Sequence, residues 1–439
     1  MKYALTLLTA LLLTPLAAIN AADVPKPTSK PTALTESKPG TAVAPTYTGK
    51  NIVPDDLKAR QRQAAWRKRR IIMNNDGNDC FLMGGKEFSV TTDHKSIHED
   101  FLRARTSPLV GSQVDSLFYC TGVFNSYLHQ SEESELMEAG DNGVQTIARE
   151  LIKTGDDALK TVVEFGHRQK WEVFWSMRMN DTHDSGDGTL LTKWKQSHPE
   201  CLMASKGGKM SYGGGRWSAL NYDMDAVREK VFRICMDVAT RYDIDGIELD
   251  FFRHPLFFKT QVLGEPVTQS QCDKMTALLA QVRRGTLEAA RSRNRPLLIS
   301  VRVMDSPGYA KAIGLDVQKW LKDGLIDVLV VGGCYFHLEP YQTMARMGHE
   351  HDVPVYACLS ASRLKAEDKL WRGEALDAWA AGVDGIYTFN LFDPRHRLFR
   401  ELGDPAALKG LPAESRYVMG EKWWINFLKD GERFGKIAK

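Results

Sequence analysis

Eight short apolar runs, separated by helix-patterned stretches, restrict the fold more than any other feature of the chain. They are "RRIIMNN" from Arg69, "VDSLFYCTG" from Val114, "WEVFWSMRM" from Trp171, "IDGIELDF" from Ile244, "PLLISVRVM" from Pro296, "IDVLVVGGCYF" from Ile326, "VPVYACLS" from Val353 and "VDGIYTFNLF" from Val383. Runs so rich in aliphatic and aromatic residues suit strands covered on both faces, the condition of a parallel sheet wrapped by helices. The clearest intervening helix is "DMDAVREKVFRICMDVATRY", where Val227, Val231, Ile234 and Val238 recur at helical spacing and Asp223 or Asp225 is suited to cap its start. Strand and crossover repeated eight times predict a (β/α)8 TIM barrel, one domain with loop insertions. An open doubly wound sheet competes less well, because no GxGxxG follows the first run.

The barrel is expected over residues 51–439, behind two segments of different character. Residues 1–22 carry Lys2, an apolar run from Ala4 to Leu13 and small residues near Ala17 to Ala22, the layout of a secretory signal peptide. Thr14-Pro15 interrupts that run too early for a bilayer span, and no Cys near the cleavage region offers a lipid anchor. Residues 23–50, rich in Pro, Thr, Ser and Lys, have little to bury and read as a linker. The expected location is therefore secreted or periplasmic, with no membrane span once the signal is removed. A net charge of +3 argues against a nucleic-acid partner or an anionic membrane. The seven Cys residues show neither CxxC pairs nor regular spacing. Cys120, Cys334 and Cys358 fall in apolar runs as small hydrophobes, and no metal site is expected.

The run "RYDIDGIELDFFRHP" poses the main functional question, because Glu248 and Asp250 interrupt an otherwise apolar strand. Residues two apart on a strand share a face, and an unpaired charge in a dry core is costly. In a barrel, alternate side chains point inward and the strand C-termini line the mouth. The pattern predicts that both acids look into a pocket, with Asp250 nearer the opening and Ile247 and Leu249 facing the helices.

The wider stretch "LNYDMDAVREKVFRICMDVATRYDIDGIELDFFRHP" resembles the family-10-like glycosyl hydrolases, a group of bacterial extracellular TIM-barrel proteins. The likeness rests on Asp223, Val227-Arg228, Tyr242-Asp243, Asp245-Gly246-Ile247, Asp250 and Pro255. The first run and "VDGIYTFNLFD" are compatible with it. It implies hydrolysis of O-glycosidic bonds in an oligo- or polysaccharide by carboxyl groups, with no cofactor. The chain departs from the pattern in one respect. Many members carry two consecutive acids where this chain has Asp250-Phe251, and they lack an acid at the position of Glu248.

Glycoside cleavage uses a protonated carboxyl at the leaving oxygen and an ionised one at the anomeric carbon or its attacking water. The resemblance makes Asp250 the nucleophile or base. Candidates for the acid are Glu248, Asp305 after strand five and Glu339 after strand six. An ion pair with Arg178 or Arg302 is the structural alternative for Glu248, and a helix cap or turn is that for Asp305. Asn75, Asp76, Arg178, Asn180, Asp181 and His183, at the polar ends of strands one and three, are candidate partners for sugar hydroxyls or ordinary turn residues. Arg253, His254, Arg302, Asn390 and Asp393 extend that set. Three arginines at one mouth suit a sulfated or uronic-acid sugar, and equally suit neutralising the pocket's own acids. The Gly-rich "SKGGKMSYGGGRWSALNY" offers Tyr212, Trp217 and Tyr222 as a stacking lid, whereas Trp423 and Trp424 read as packing a last helix onto the barrel. Two other functions fit the same barrel: a carbohydrate-binding protein without turnover, and a lyase on uronic-acid polymers using Tyr335 or His337 with an arginine.

Overall fold

A computed structural model of the protein describes residues 55–82, 90 and 96–437. The expected signal peptide and linker lie outside these residues. Among the described residues, eight parallel strands close a barrel in sequential order. They are β1 (Ile71–Asn75), β2 (Val114–Tyr119), β3 (Glu172–Arg178), β4 (Gly246–Asp250), β5 (Leu298–Val303), β6 (Val328–Val331), β7 (Val355–Ser360) and β8 (Gly385–Phe389). Each grows from one of the eight apolar runs, and β8 pairs with β1 to complete the ring. The chain is thus a TIM barrel. No described helix is long and apolar enough to cross a membrane.

The inward faces follow the strand alternation. The Phe118 and Phe174 rings stack at 4.3 Å, and Tyr387 meets Phe118 edge-on at 5.7 Å, filling the middle of the barrel. Gly246 leaves room for this layer, because a Cβ there would fall 2.2 Å from the Phe174 ring. At the bottom, the fully buried Arg69 donates two hydrogen bonds to Glu172, at 2.7 and 2.9 Å, and Ser116 donates a third. Outside, the helix Asp225–Arg241 packs against the helix Gln269–Ser292, which starts from a Thr268–Gln271 capping box. The first of these helices begins differently from expectation: Met224 occupies the cap position and no side chain caps it. Asp223 instead accepts hydrogen bonds from Gln271 and Lys274, and Asp225 lies within the first turn.

One device recurs at the N-terminal end of the barrel. An aspartate at the start of each even strand accepts a backbone N–H from the preceding odd strand or its entry. Asp115 takes that of Arg70 at 2.8 Å, Asp245 that of Val173 at 2.8 Å, Asp327 that of Ile299 at 2.7 Å and Asp384 that of Val355 at 2.7 Å. For the last three, the aspartate N–H also donates to the carbonyl of the same residue, so the grip has two points. A basic side chain holds each carboxylate from outside: Arg70, His167, Arg283 and His349 respectively. Removing the Asp327 carboxylate strands the Ile299 N–H and the buried Arg283 guanidinium together. Asp327→Ala is therefore expected to cost about 3 kcal/mol, read as a lower midpoint in urea unfolding.

Candidate active site

The loops that leave β1, β2, β3, β4 and β8 enclose a cavity of about 210 Å³ at the C-terminal mouth. Its polar lining is Asp76, Asn78, Arg178, His183, Arg253 and Asn390, with Phe81 and Phe392 among the apolar walls. A small three-stranded sheet after β2 (Gly122–Val123, Ser126–Tyr127 and Glu135–Leu136) supplies a further wall through Gly122 and Val123. Of the residues singled out in the sequence, the fold thus brings Asp76, Arg178, His183, Arg253 and Asn390 to one opening.

Asp76 is bound by Arg105 from the helix Ile97–Arg105, and its Oδ2 lies 3.9 Å from Arg178. Burial pushes this carboxyl up, but Arg105 and Arg178 outweigh it and hold Asp76 ionised below the usual carboxylate range. Arg178 in turn donates to Asp181 at 3.0 Å. Asp181 also engages His183 Nδ1 at 2.8 Å and accepts the His183 backbone N–H at 3.0 Å. The other ring nitrogen, Nε2, lies 2.8 Å from Arg253 Nη2. Arginine can only donate, so Nε2 accepts, and the ring proton sits on Nδ1 facing Asp181. The arrangement is an imidazole whose tautomer is set by a carboxylate and whose basic nitrogen is covered by a guanidinium. Burial, then the neighbouring Arg178, pull Arg253 down to about 10, and its Nε is buried without a hydrogen-bond partner.

The acids of β4 are placed otherwise than expected. They do point inward, since Tyr387 on β8 reaches across the barrel to donate to Glu248 at 3.1 Å. Neither lines the open cavity. Asp250 is 1% exposed; Oδ1 accepts the N–H groups of Phe252 and Arg253 at 2.9 and 3.0 Å, and Oδ2 pairs with Arg302. It fastens the β4 exit loop to β5. Arg302 is equally buried, donates to Cys334 Sγ at 2.9 Å and lies over the Phe389 ring at 4.2 Å. Glu248 is fully buried one layer deeper, where Ser176 and Tyr387 donate to Oε2 and Oε1 has no partner.

The remaining candidates serve the scaffold. Asp305 accepts the N–H groups of Leu338 and Glu339 and binds His337 Nδ1, which holds the loop after β6 and removes both Asp305 and His337 from the mouth. Glu339 is buried between Ser306 and Lys436. Asn180 is a clamp: its Oδ1 accepts the Leu220 N–H at 2.7 Å and its amide donates to the carbonyls of Leu220 and Leu256. The Gly-rich segment it holds is no stacking lid. Tyr222 is fully buried, half-buried Trp217 donates to the Ser185 carbonyl, and Tyr212 lies in a separate surface groove beside Trp423. Asn75 closes a turn by accepting the Gly77 N–H and donating to Asp79. His254 adopts a left-handed backbone, φ 63°, and accepts the Thr182 N–H. Burial and the Arg253 charge keep its ring neutral. Asp393 accepts the Arg395 N–H in a turn. Tyr335 is buried, stacked on Trp424 at 4.0 Å with Arg253 over its ring. Trp424 packs as expected, whereas Trp423 stays 40% exposed. Sequence reasoning passed over Asn78, Phe81, Phe392 and Arg105. Asn78 sits inside the noticed "NNDGND", and Phe392 lies 4.0 Å beneath the Arg105 guanidinium.

No family model matches the chain, and no curated protein matches it. Solved structures do show similarity. The glycoside hydrolase domain of PgaB (BpsB) from Bordetella bronchiseptica is 10% identical over 77% of this chain and 98% of its own, with a TM-score of 0.49. The catalytic domain of the psychrophilic chitinase B from Arthrobacter TAD20 is 11% identical over 82% of this chain and 100% of its own, at 0.44. Alpha-L-fucosidase isoenzyme 2 from Paenibacillus thiaminolyticus is 12% identical over 78% of this chain, at 0.45, and the match spans 49% of the fucosidase chain. Likeness at these levels carries no residue role and no activity over to this chain.

The buried Glu248 makes a testable contribution to stability. Burial, opposed by Arg302 and reinforced by Asp250, pushes its carboxyl up to about 7. Between the ordinary unfolded value and that raised one, the folded chain binds more protons than the unfolded chain, so stability falls as pH rises through this window. Glu248→Gln removes the penalty. The variant is expected to match wild type in urea unfolding at pH 4 and to exceed it at pH 8.

Proposed function

We propose that this protein is an exported glycoside hydrolase that acts on an oligo- or polysaccharide at the C-terminal mouth of the barrel. The observation that carries the reading is the meeting, in one cavity, of an ionised carboxylate and a carboxylate-oriented imidazole, Asp76 and His183, among hydrogen-bonding Asn78, Asn390 and Arg178. Bond cleavage needs one group at the anomeric carbon or its attacking water and another that manages the proton at the leaving oxygen. Asp76 takes the first role. His183 takes the second through Nε2, which takes up a proton from solvent, is stabilised as an imidazolium by Asp181 and gives that proton to the leaving oxygen. This moves the chemistry from the strand acids to the loops, because Asp250 and Glu248 are sealed beneath them. The resemblance of the Leu220–Pro255 stretch to family-10-like glycosyl hydrolases supports the reaction class. The signal-like residues 1–22 support export.

One observation favours a second reaction on the same site. A basic nitrogen 2.8 Å from a guanidinium suits proton abstraction beside a uronate carboxylate, the first step of a β-elimination. A glycan panel assayed for new reducing ends and for ultraviolet-absorbing unsaturated products separates the two. For the hydrolase, Asp76→Asn and His183→Ala should each lower turnover by about 10²–10⁴ with no unsaturated product. Unsaturated product that survives Asp76→Asn and vanishes in His183→Ala would transfer the assignment to the lyase. Sugar binding without any product would leave a non-catalytic carbohydrate-binding barrel.

A further inference from the structure

Several charges around the mouth pair off. Arg105 neutralises Asp76, Arg178 neutralises Asp181 and Arg302 neutralises Asp250. Arg253 has no carboxylate partner among the described residues. Its contacts are the neutral-side nitrogen of His183 and the face of Tyr335 at 5.3 Å, and its Nε is buried and unpartnered. A desolvated guanidinium with no carboxylate in direct contact is costly, and its planar fork matches the two oxygens of a carboxylate or the oxygens of a sulfate. Arg253 also lines the cavity, unlike Arg302. We propose that Arg253 is the receptor for an anionic group on the sugar, a carboxylate or a sulfate ester, and that engaging this group draws its Nη2 away from His183 Nε2.

This inference rests on the mouth being the saccharide site, and it names the substrate class as acidic glycans. It also couples recognition to reactivity. With no acidic sugar bound, the guanidinium covers the Nε2 lone pair on which His183 takes up the proton it delivers. The substrate's own charge competes for that guanidinium and uncovers the nitrogen, so neutral glycans would enter a site whose proton carrier stays covered. Asp250 contributes indirectly by accepting the Arg253 backbone N–H, which fixes the base of this side chain.

The test follows the imidazole directly, without turnover. In the full chain labelled with 15N-histidine, the ring signals of His183, assigned with His183→Gln, are followed during titration with D-glucuronate, glucose 6-sulfate, glucose and glucuronate methyl ester. The expected result is a shift of the Nε2 signal with glucuronate or the sulfate, at affinities about tenfold or more above those of the neutral sugars. Whichever anion acts identifies carboxylate or sulfate as the recognised group. Arg253→Gln should already show the uncovered Nε2 signal and lose the anion preference, and Arg253→Lys should keep a weaker preference. The proposal is overturned if neither anion moves the signal, if the neutral sugars move it equally, or if Arg253→Gln retains the preference. Should Arg253→Gln fail to fold, the glucuronate and methyl ester comparison in wild type decides alone. An anion response without product on the glycan panel would sink only the hydrolase reading, and turnover of neutral glycans without an anion response would sink only this one.

Discussion

An aspartate at the threshold of every second strand determines how high each neighbouring side chain sits in the barrel. Side chains on a strand alternate with a period of two, so a slip of one residue would turn each inward group outward. The carboxylates of Asp115, Asp245, Asp327 and Asp384 prevent such a slip by gripping the backbone of the adjoining strand entry. From that base the inward positions of β3 rise as Glu172, Phe174, Ser176 and Arg178, and those of β4 as Gly246, Glu248 and Asp250. Arg178 reaches the mouth because Val173 is held at the floor.

Within this frame the interior sorts charge by depth. Arg69 and Glu172 satisfy one another at the floor, and Arg302 and Asp250 do so below the mouth. Between them Glu248 has hydroxyl donors but no cation in salt-bridge contact, which is why burial raises its carboxyl toward neutrality. Only at the opening, where solvent still reaches, does the arrangement leave charge for something outside the chain to meet. The depth order separates groups that hold the barrel together from groups positioned to act.

The barrel was legible because eight buried strands leave eight apolar runs, and the inward direction of Glu248 and Asp250 followed from strand alternation alone. Their accessibility was not legible. Whether Asp250 faces solvent is decided by Arg302 on the next strand and by two backbone N–H groups of its own exit loop, partners that no spacing in a single sequence connects to it. Asn180 shared a face with Arg178 and was read like it, yet a tertiary contact with the Leu220 backbone claimed its amide. His183, one of several polar residues in "MRMNDTHDSGDG", gained its position from Asp181 two residues earlier and from Arg253 seventy residues later. The first of those partners was local and readable; the second was set by the fold.

The four aspartate grips also divide the ring into quarters. Each backbone N–H grip joins a strand or its entry to the next strand in the chain: β1 to β2, β3 to β4, β5 to β6 and β7 to β8. New termini opened between β2 and β3, or between β4 and β5, would leave every grip inside continuous polypeptide. A break between β5 and β6 would make Ile299 and Asp327 find each other from opposite ends of the chain. Circular permutants of this protein therefore have natural seams, and they lie after the even strands.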